Sequence, residues 1–148
     1  MKKIFLDTEF TGLHQKTKLI SLAFVAESGE AFYAEFSDFD IKGADNITQQ
    51  FFKNEVIPQL GNLPYQVNEI NRYYVSGNTL EIKLAITKWF NQFQQTKNSL
   101  QIWADYYAWD WVLFCELFGG AFCIPQNIHY MTMDLATFLF SRNVKRRY

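Results

Sequence analysis

The sequence predicts an α/β fold, a mixed central sheet with three antiparallel strands first and helices flanking it. Three observations carry this. Short apolar runs at 4–6, 19–26 and 31–36 have the length and residue types of strands. The series Ile82, Ala85, Ile86, Trp89, Phe90 and Phe93 repeats at i, i+3, i+4, i+7, as in a helix lying on a sheet. A further strand-like run at 100–104 then leads into another helical one, the alternation of layered α/β domains.

Taken in order, residues 4–6 form a buried first strand. Leu19–Ala26 is a largely buried second strand, and Ala31–Phe36 alternates as its partner across the turn Glu27-Ser28-Gly29-Glu30. Residues 37–45 are polar and acidic, a loop. A helix begins at Asn46, with Gln49 at the capping-box position, and ends before Pro58. Residues 61–77, with Pro64, read as irregular. The next helix starts at Asn78, where Asn78 and Glu81 fit a capping box, and the polar residues 94–99 close it. After the strand at 100–104, a helix covers 107–118 and stops at Gly119-Gly120. A loop with Pro125 leads to a last helix near 132–140. There are no repeats, low-complexity stretches or linkers.

A chain of 148 residues fits one domain spanning 1–148 with a sizeable core. Aromatic residues make up 18%, most of them core, with a few near the acidic cluster free to stack on bases. The net charge of -1 argues against sequence-blind duplex binding, which needs a basic face. Lys145-Arg146-Arg147, with Arg142 before it, reads as cations at a helix C-terminus. Cys115 and Cys123 have neither zinc nor disulfide spacing and read as reduced core thiols. No signal peptide or membrane span fits, so a soluble cytoplasmic protein is expected.

The chemistry is concentrated at the first strand's end, in Phe5-Leu6-Asp7-Thr8-Glu9-Phe10-Thr11-Gly12-Leu13. Alternate strand side chains share a face, so Asp7 and Glu9 project together. Two such carboxylates repel unless one is protonated or a cation lies between them, and a hard divalent cation prefers carboxylate oxygens. Further along, Asp110 shares a helix face with Leu113, Phe114 and Leu117, where a charge needs a partner or a metal. Asp105, at the exit of the 100–104 strand, has an ordinary explanation as a cap.

Asp-Thr-Glu-Phe-Thr-Gly-Leu resembles the first motif of the DEDD 3′–5′ exonucleases, a superfamily with the ribonuclease H-like fold. Ala108-Trp109-Asp110 followed by Leu117-Phe118-Gly119 resembles the second motif of short bacterial 3′–5′ exoribonucleases. The element order agrees with that fold, in which the first strand sits centrally and carries the catalytic acids. The resemblance implies that Asp7, Glu9 and Asp110 hold two Mg²⁺ or Mn²⁺ ions about 3.5–4 Å apart, and that Asp105 is a second-layer or substrate-side residue. It implies that Phe10 and the Thr11-Gly12-Leu13 backbone meet the terminal nucleotide, with Leu13 wedged against its base. Core packing is an equal alternative for Phe10 and Leu13. Relatives of this kind are often homodimers.

The superfamily's third motif, a general-base His with an acid five residues on, is missing. His129 and Asp134 have the bare spacing but follow too soon after Asp110, and Asp134 reads more simply as a helix cap. The chain therefore reads as a truncated product or as a member without its last helix. The activity implied is two-metal removal of nucleotides from single-stranded 3′ ends, RNA before DNA. The alternatives are an impaired module that keeps the fold to bind nucleic acid or protein, and, last, an endonuclease cutting RNA–DNA hybrids.

Overall fold

Alternation of inward and outward side chains defines the first strand, β1 (Lys2–Phe10), in a computed structural model that describes residues 1–41, 45–62 and 71–144. Ile4, Leu6 and Thr8 turn into the core while Phe5, Asp7 and Glu9 face out. The strand outruns the predicted 4–6 because pairing, not hydropathy, carries its polar end: Asp7 lies opposite Ala23 and Glu9 opposite Ser21. Strands β2 (Leu19–Ala26) and β3 (Ala31–Phe36) have the predicted bounds and join as an antiparallel hairpin. Its turn uses Gly29 at φ 101°, a conformation that favours glycine.

Two strands were not predicted. Within the segment read as irregular, Arg72–Gly77 forms β4, parallel to β3. A two-residue strand, Met133–Asp134, precedes the last helix, which starts at Leu135 rather than near 132. With β5 (Leu100–Ala104) and that strand, β6, the sheet has the order β4-β3-β2-β1-β5-β6. β1 is interior, antiparallel to β2 and parallel to β5.

Among the described residues four α-helices flank this mixed sheet: α1 (Asn46–Phe51), α2 (Thr79–Phe90), α3 (Ala108–Phe118) and α4 (Leu135–Ser141). The capping box of α2 is present, with Asn78 accepting from Leu80 and Glu81 and Glu81 accepting from the Asn78 amide. At α1 the cap is Asp45, not Asn46, and the helix continues through a π-helical turn (Phe52–Val56) and a 3₁₀ turn (Ile57–Gln59). Phe24 centres the main core, its ring against Trp89, Phe90 and Phe114 at 5.0–5.6 Å. Cys115 is buried as expected, whereas Cys123 is exposed, beyond the end of α3 where the chain turns to the surface. Lys145, Arg146, Arg147 and Pro64 lie outside the described residues.

A second, smaller core sits on the opposite face of the sheet. Between Glu9 and Phe10 the β1–β2 register slips, since Glu9 pairs with Ser21 and Phe10 with Leu19. The extra residue, Ile20, is a bulge of the kind that re-aims side chains beside functional sites. It packs against Phe52 and Val56 and so anchors the 46–59 helical segment over the face that carries Asp7 and Glu9.

Candidate active site

Period-two geometry places Asp7 and Glu9 on one face, their Cα atoms about 7 Å apart along the strand. Opposite stands the 46–59 segment, and between them lies a cleft of about 300 Å³ lined by Asp7, Glu9, Ser21, Tyr33, Phe51 and Glu55 among others. Partial burial pushes the Asp7 carboxyl above the usual carboxylate range, and the charge of Asp105 pushes it further, against a backbone hydrogen bond that lowers it. Burial also raises Glu9, with the charge of Asp7 adding to it. The Lys2–Glu30 and Lys3–Glu27 ion pairs involve residues at the other end of β1.

Asp105 reaches Asp7 through strand pairing. β1 and β5 run parallel with Leu6 beside Ala104, so the next residues in each chain are Asp7 and Asp105. The sequence reading missed how close these two charges come. Parallel pairing of the two apolar runs, each ending in Asp, was the signal that could have shown it. Tyr106, just after Asp105, holds φ 53°, a left-handed conformation uncommon for a bulky residue and found at functional turns. The cleft-lining residues Ser21, Tyr33, Phe51 and Glu55 were also missed, because they come from three different elements.

Asp110 sits on the core side, in the first turn of α3 and only 6% exposed. Its Oδ1 accepts from the Thr8 hydroxyl at 2.5 Å. Burial outweighs that bond and, with the charges of Asp7 and Asp105, pushes its carboxyl up to about 6. Asp110 is thus an electrostatic neighbour of Asp7 and Asp105, while Thr8 and Asp7 point to opposite faces of β1.

The residues after Glu9 divide. Phe10 packs on the main core and stacks on Trp109, centroids 6.0 Å apart. Thr11 is buried, and its Oγ1 accepts from the Lys18 amide at 3.0 Å. The Gly12 amide donates to Thr17 Oγ1. With φ at 150° and the His14 ring 3.1 Å from where a Cβ would stand, a side chain at Gly12 would be strained and would have to push that ring aside. This tight loop lifts Leu13 into solvent at 74% exposure. Of the two readings for Phe10 and Leu13, core packing therefore describes Phe10 and not Leu13.

His129 and Asp134 stand apart from each other. The His129 amide donates to the Leu100 carbonyl, at the start of β5, about 16 Å along the chain from Asp105. Its Nδ1 accepts from the Met131 amide. Asp134 caps α4 through Oδ1 and takes the Tyr107 amide on Oδ2, which ties the starts of α3 and α4 together.

The donor set beside the cleft is anionic, oxygen-only and crowded with like charge, which is what a hard divalent cation fits. Asp7 and Glu9 suit that role, with Asp105 nearby. Asp110 faces it less directly, since one of its oxygens is occupied by Thr8. Among the described residues no three His, Cys, Asp or Glu side chains are gathered at one ion-sized position.

Residues 2–145 match a family model described as the 3′–5′ exoribonuclease Rv2179c-like domain. Two curated relatives from Mycobacterium tuberculosis are each 29% identical over 133 residues, covering 90% of this chain and 71% of the relative. They are 3′–5′ exoribonuclease Rv2179c of strain H37Rv and 3′–5′ exoribonuclease MT2234.1 of strain CDC 1551.

Proposed function

The chain belongs to the Rv2179c-like 3′–5′ exoribonuclease domain family, and from that premise we propose that it trims single-stranded RNA from the 3′ end by metal-dependent hydrolysis, as a DEDD-type enzyme on a ribonuclease H-like fold. The observation that carries the reading is Asp7 and Glu9 side by side on an open cleft, among like charges. These two residues would hold divalent cations, with Asp105 and Asp110 as the neighbouring carboxylates. Mg²⁺ or Mn²⁺ bound there supplies charge neutralisation at the scissile phosphate and a water of lowered pKa.

The remaining work falls to the chain's own residues. Thr8, by donating to Asp110, fixes the rotamer of a carboxylate that burial would otherwise drive to its neutral form. Phe10 and Trp109, stacked on each other, give the loop at 11–13 a rigid base. From that base Leu13 projects as an apolar side chain free to meet the terminal base. RNA is favoured over DNA on family membership alone. The protein acts in the cytoplasm in this reading, and no helix among the described residues is long and apolar enough to cross a membrane.

Trimming of a 5′-labelled single-stranded oligoribonucleotide with Mn²⁺ tests the proposal. The wild type shortens the RNA from its 3′ end, EDTA stops it, and Asp7→Ala abolishes it. Unchanged trimming by that variant sinks the mechanism. The placement of Asp110 behind Thr8 favours a second reading, a binding module with impaired catalysis, in which RNA is retained with Mn²⁺ but not shortened.

A further inference from the structure

The acidic cleft does not end at the acids. A second groove, of about 420 Å³, runs over β2 and β3 toward their hairpin, and it shares Ala23, Tyr33 and Gln59 with the cleft. Its other wall includes Val25, Ala31 and Asn62. Neither set of described lining residues contains a lysine or arginine, so an occupant cannot be held there by phosphate pairing.

Tyr33 stands where the two grooves meet, and its ring is held from behind. Tyr74 lies beside it on β4, in register, with near-parallel rings and centroids 6.0 Å apart. The Tyr74 hydroxyl donates to Glu35 at 3.0 Å, and the Gly61 amide donates to the other Glu35 oxygen at 2.8 Å. Glu35 is itself only 6% exposed. A buried carboxylate thus locks β3, β4 and the end of the helical segment into one frame around the Tyr33 ring.

We propose that this groove carries the nucleotides upstream of the 3′ end, with the Tyr33 ring as the stacking platform for a base. The inference rests on the trimming reading above and names its substrate more closely: a single strand several nucleotides long, held upstream by its bases. An aromatic ring on an open sheet face is a sequence-tolerant site for an unpaired base. An apolar floor without cations suits a base and excludes a phosphate-first grip. Charge complementarity points the same way, because the phosphates must run along the solvent side, away from Asp7, Glu9 and Glu55.

The test compares a diribonucleotide with a pentaribonucleotide, measuring kcat and KM with Mn²⁺ for the full chain. Binding of a pentaribonucleotide with phosphorothioate 3′ linkages, which resist hydrolysis, is measured in parallel. Tyr33→Leu removes the π face and is expected to raise KM for the pentamer about tenfold. Tyr33→Phe keeps the ring and keeps the wild-type KM. Val25→Asp, at an exposed position in the groove, places a charge in the path without disturbing the core, and it too raises KM for the pentamer only. An unchanged pentamer KM in Val25→Asp and Tyr33→Leu, or an equal rise for dimer and pentamer in Val25→Asp, overturns the inference while trimming stands. Tight phosphorothioate binding that Val25→Asp weakens, in a wild type that trims nothing, supports the groove and defeats the trimming reading. A wild type that neither trims nor binds defeats both.

Discussion

Thr8 and Asp110 are 102 residues apart in the chain, and their hydrogen bond decides how the most buried of the site's acids behaves. In the unfolded chain Asp110 titrates near the ordinary aspartate value of about 3.9, and in the fold it titrates near 6. Between those values the native state binds more protons than the unfolded one, so stability falls as pH rises through the window. Above pH 6 the penalty is fully present; below about pH 4 it is gone. Asp7 and Glu9, also raised, add with the same sign. In EDTA, Asp110→Asn should therefore be more stable than wild type at pH 7.5, by about 1–2 kcal/mol, and equal to it near pH 4. Thermal melts at the two pH values check this, and an Asn variant that melts lower at pH 7.5 would refute it. The pairing of Asp7 with Glu9 was legible from the period of a strand, and the inward turn of Asp110 from its helical stripe. Thr8 as its partner was not, since no local pattern links two residues that far apart.

Elements with their own start signals were the legible ones. Helix α2 was readable to its cap because Asn78 and Glu81 are local partners, three residues apart. Asn78→Ala removes the acceptor for two amides and should cost about 1 kcal/mol, seen as a lower urea midpoint with unchanged slope. Gly77 adds a subtler point: a Cβ there would stand 2.5 Å from Glu81 Oε2. Gly77→Ala should displace that carboxylate and lose the return bond to the Asn78 amide, so its cost and that of Asn78→Ala should be less than additive. Full additivity in a double-mutant cycle would show that the box is not what the methyl disturbs. Strand β4 was illegible for the opposite reason. Arg72–Gly77 is half-exposed and follows Asn71, which holds φ 72°. What makes it a strand is its parallel ladder with β3 and the Tyr33–Tyr74 ring pair, both tertiary. Strand β6, two residues long, exists only because β5 offers an edge.

At the scale of the molecule, a near-neutral chain concentrates like charge in one place. Its net charge is -1, yet four carboxylates gather at one end of β1 and β5: burial raises Asp7, Glu9 and Asp110, and the charge of Asp105 adds to Asp7 and Asp110, that of Asp7 to Glu9 and Asp110. The fold holds that repulsion in place with core on one side and the bulge-anchored helical cover on the other. Such an arrangement is a destabilising feature of the metal-free protein that a bound cation would relieve. A ligand present at a hundredfold excess over its Kd stabilises the folded state by about 2.7 kcal/mol. For a domain of this size that corresponds to a rise in Tm of about 5–10 °C. Saturating Mn²⁺ at pH 7.5 should therefore raise the melting temperature by that amount, and EDTA should return it. The double variant Asp7→Asn, Glu9→Gln should melt above wild type in EDTA, because the like charges are gone, and should no longer respond to Mn²⁺. If the variant kept the full Mn²⁺ response, the ion would be binding elsewhere and the cleft would lose its proposed role. If wild type showed no response, cation binding at this cluster would be excluded whatever the activity of the enzyme.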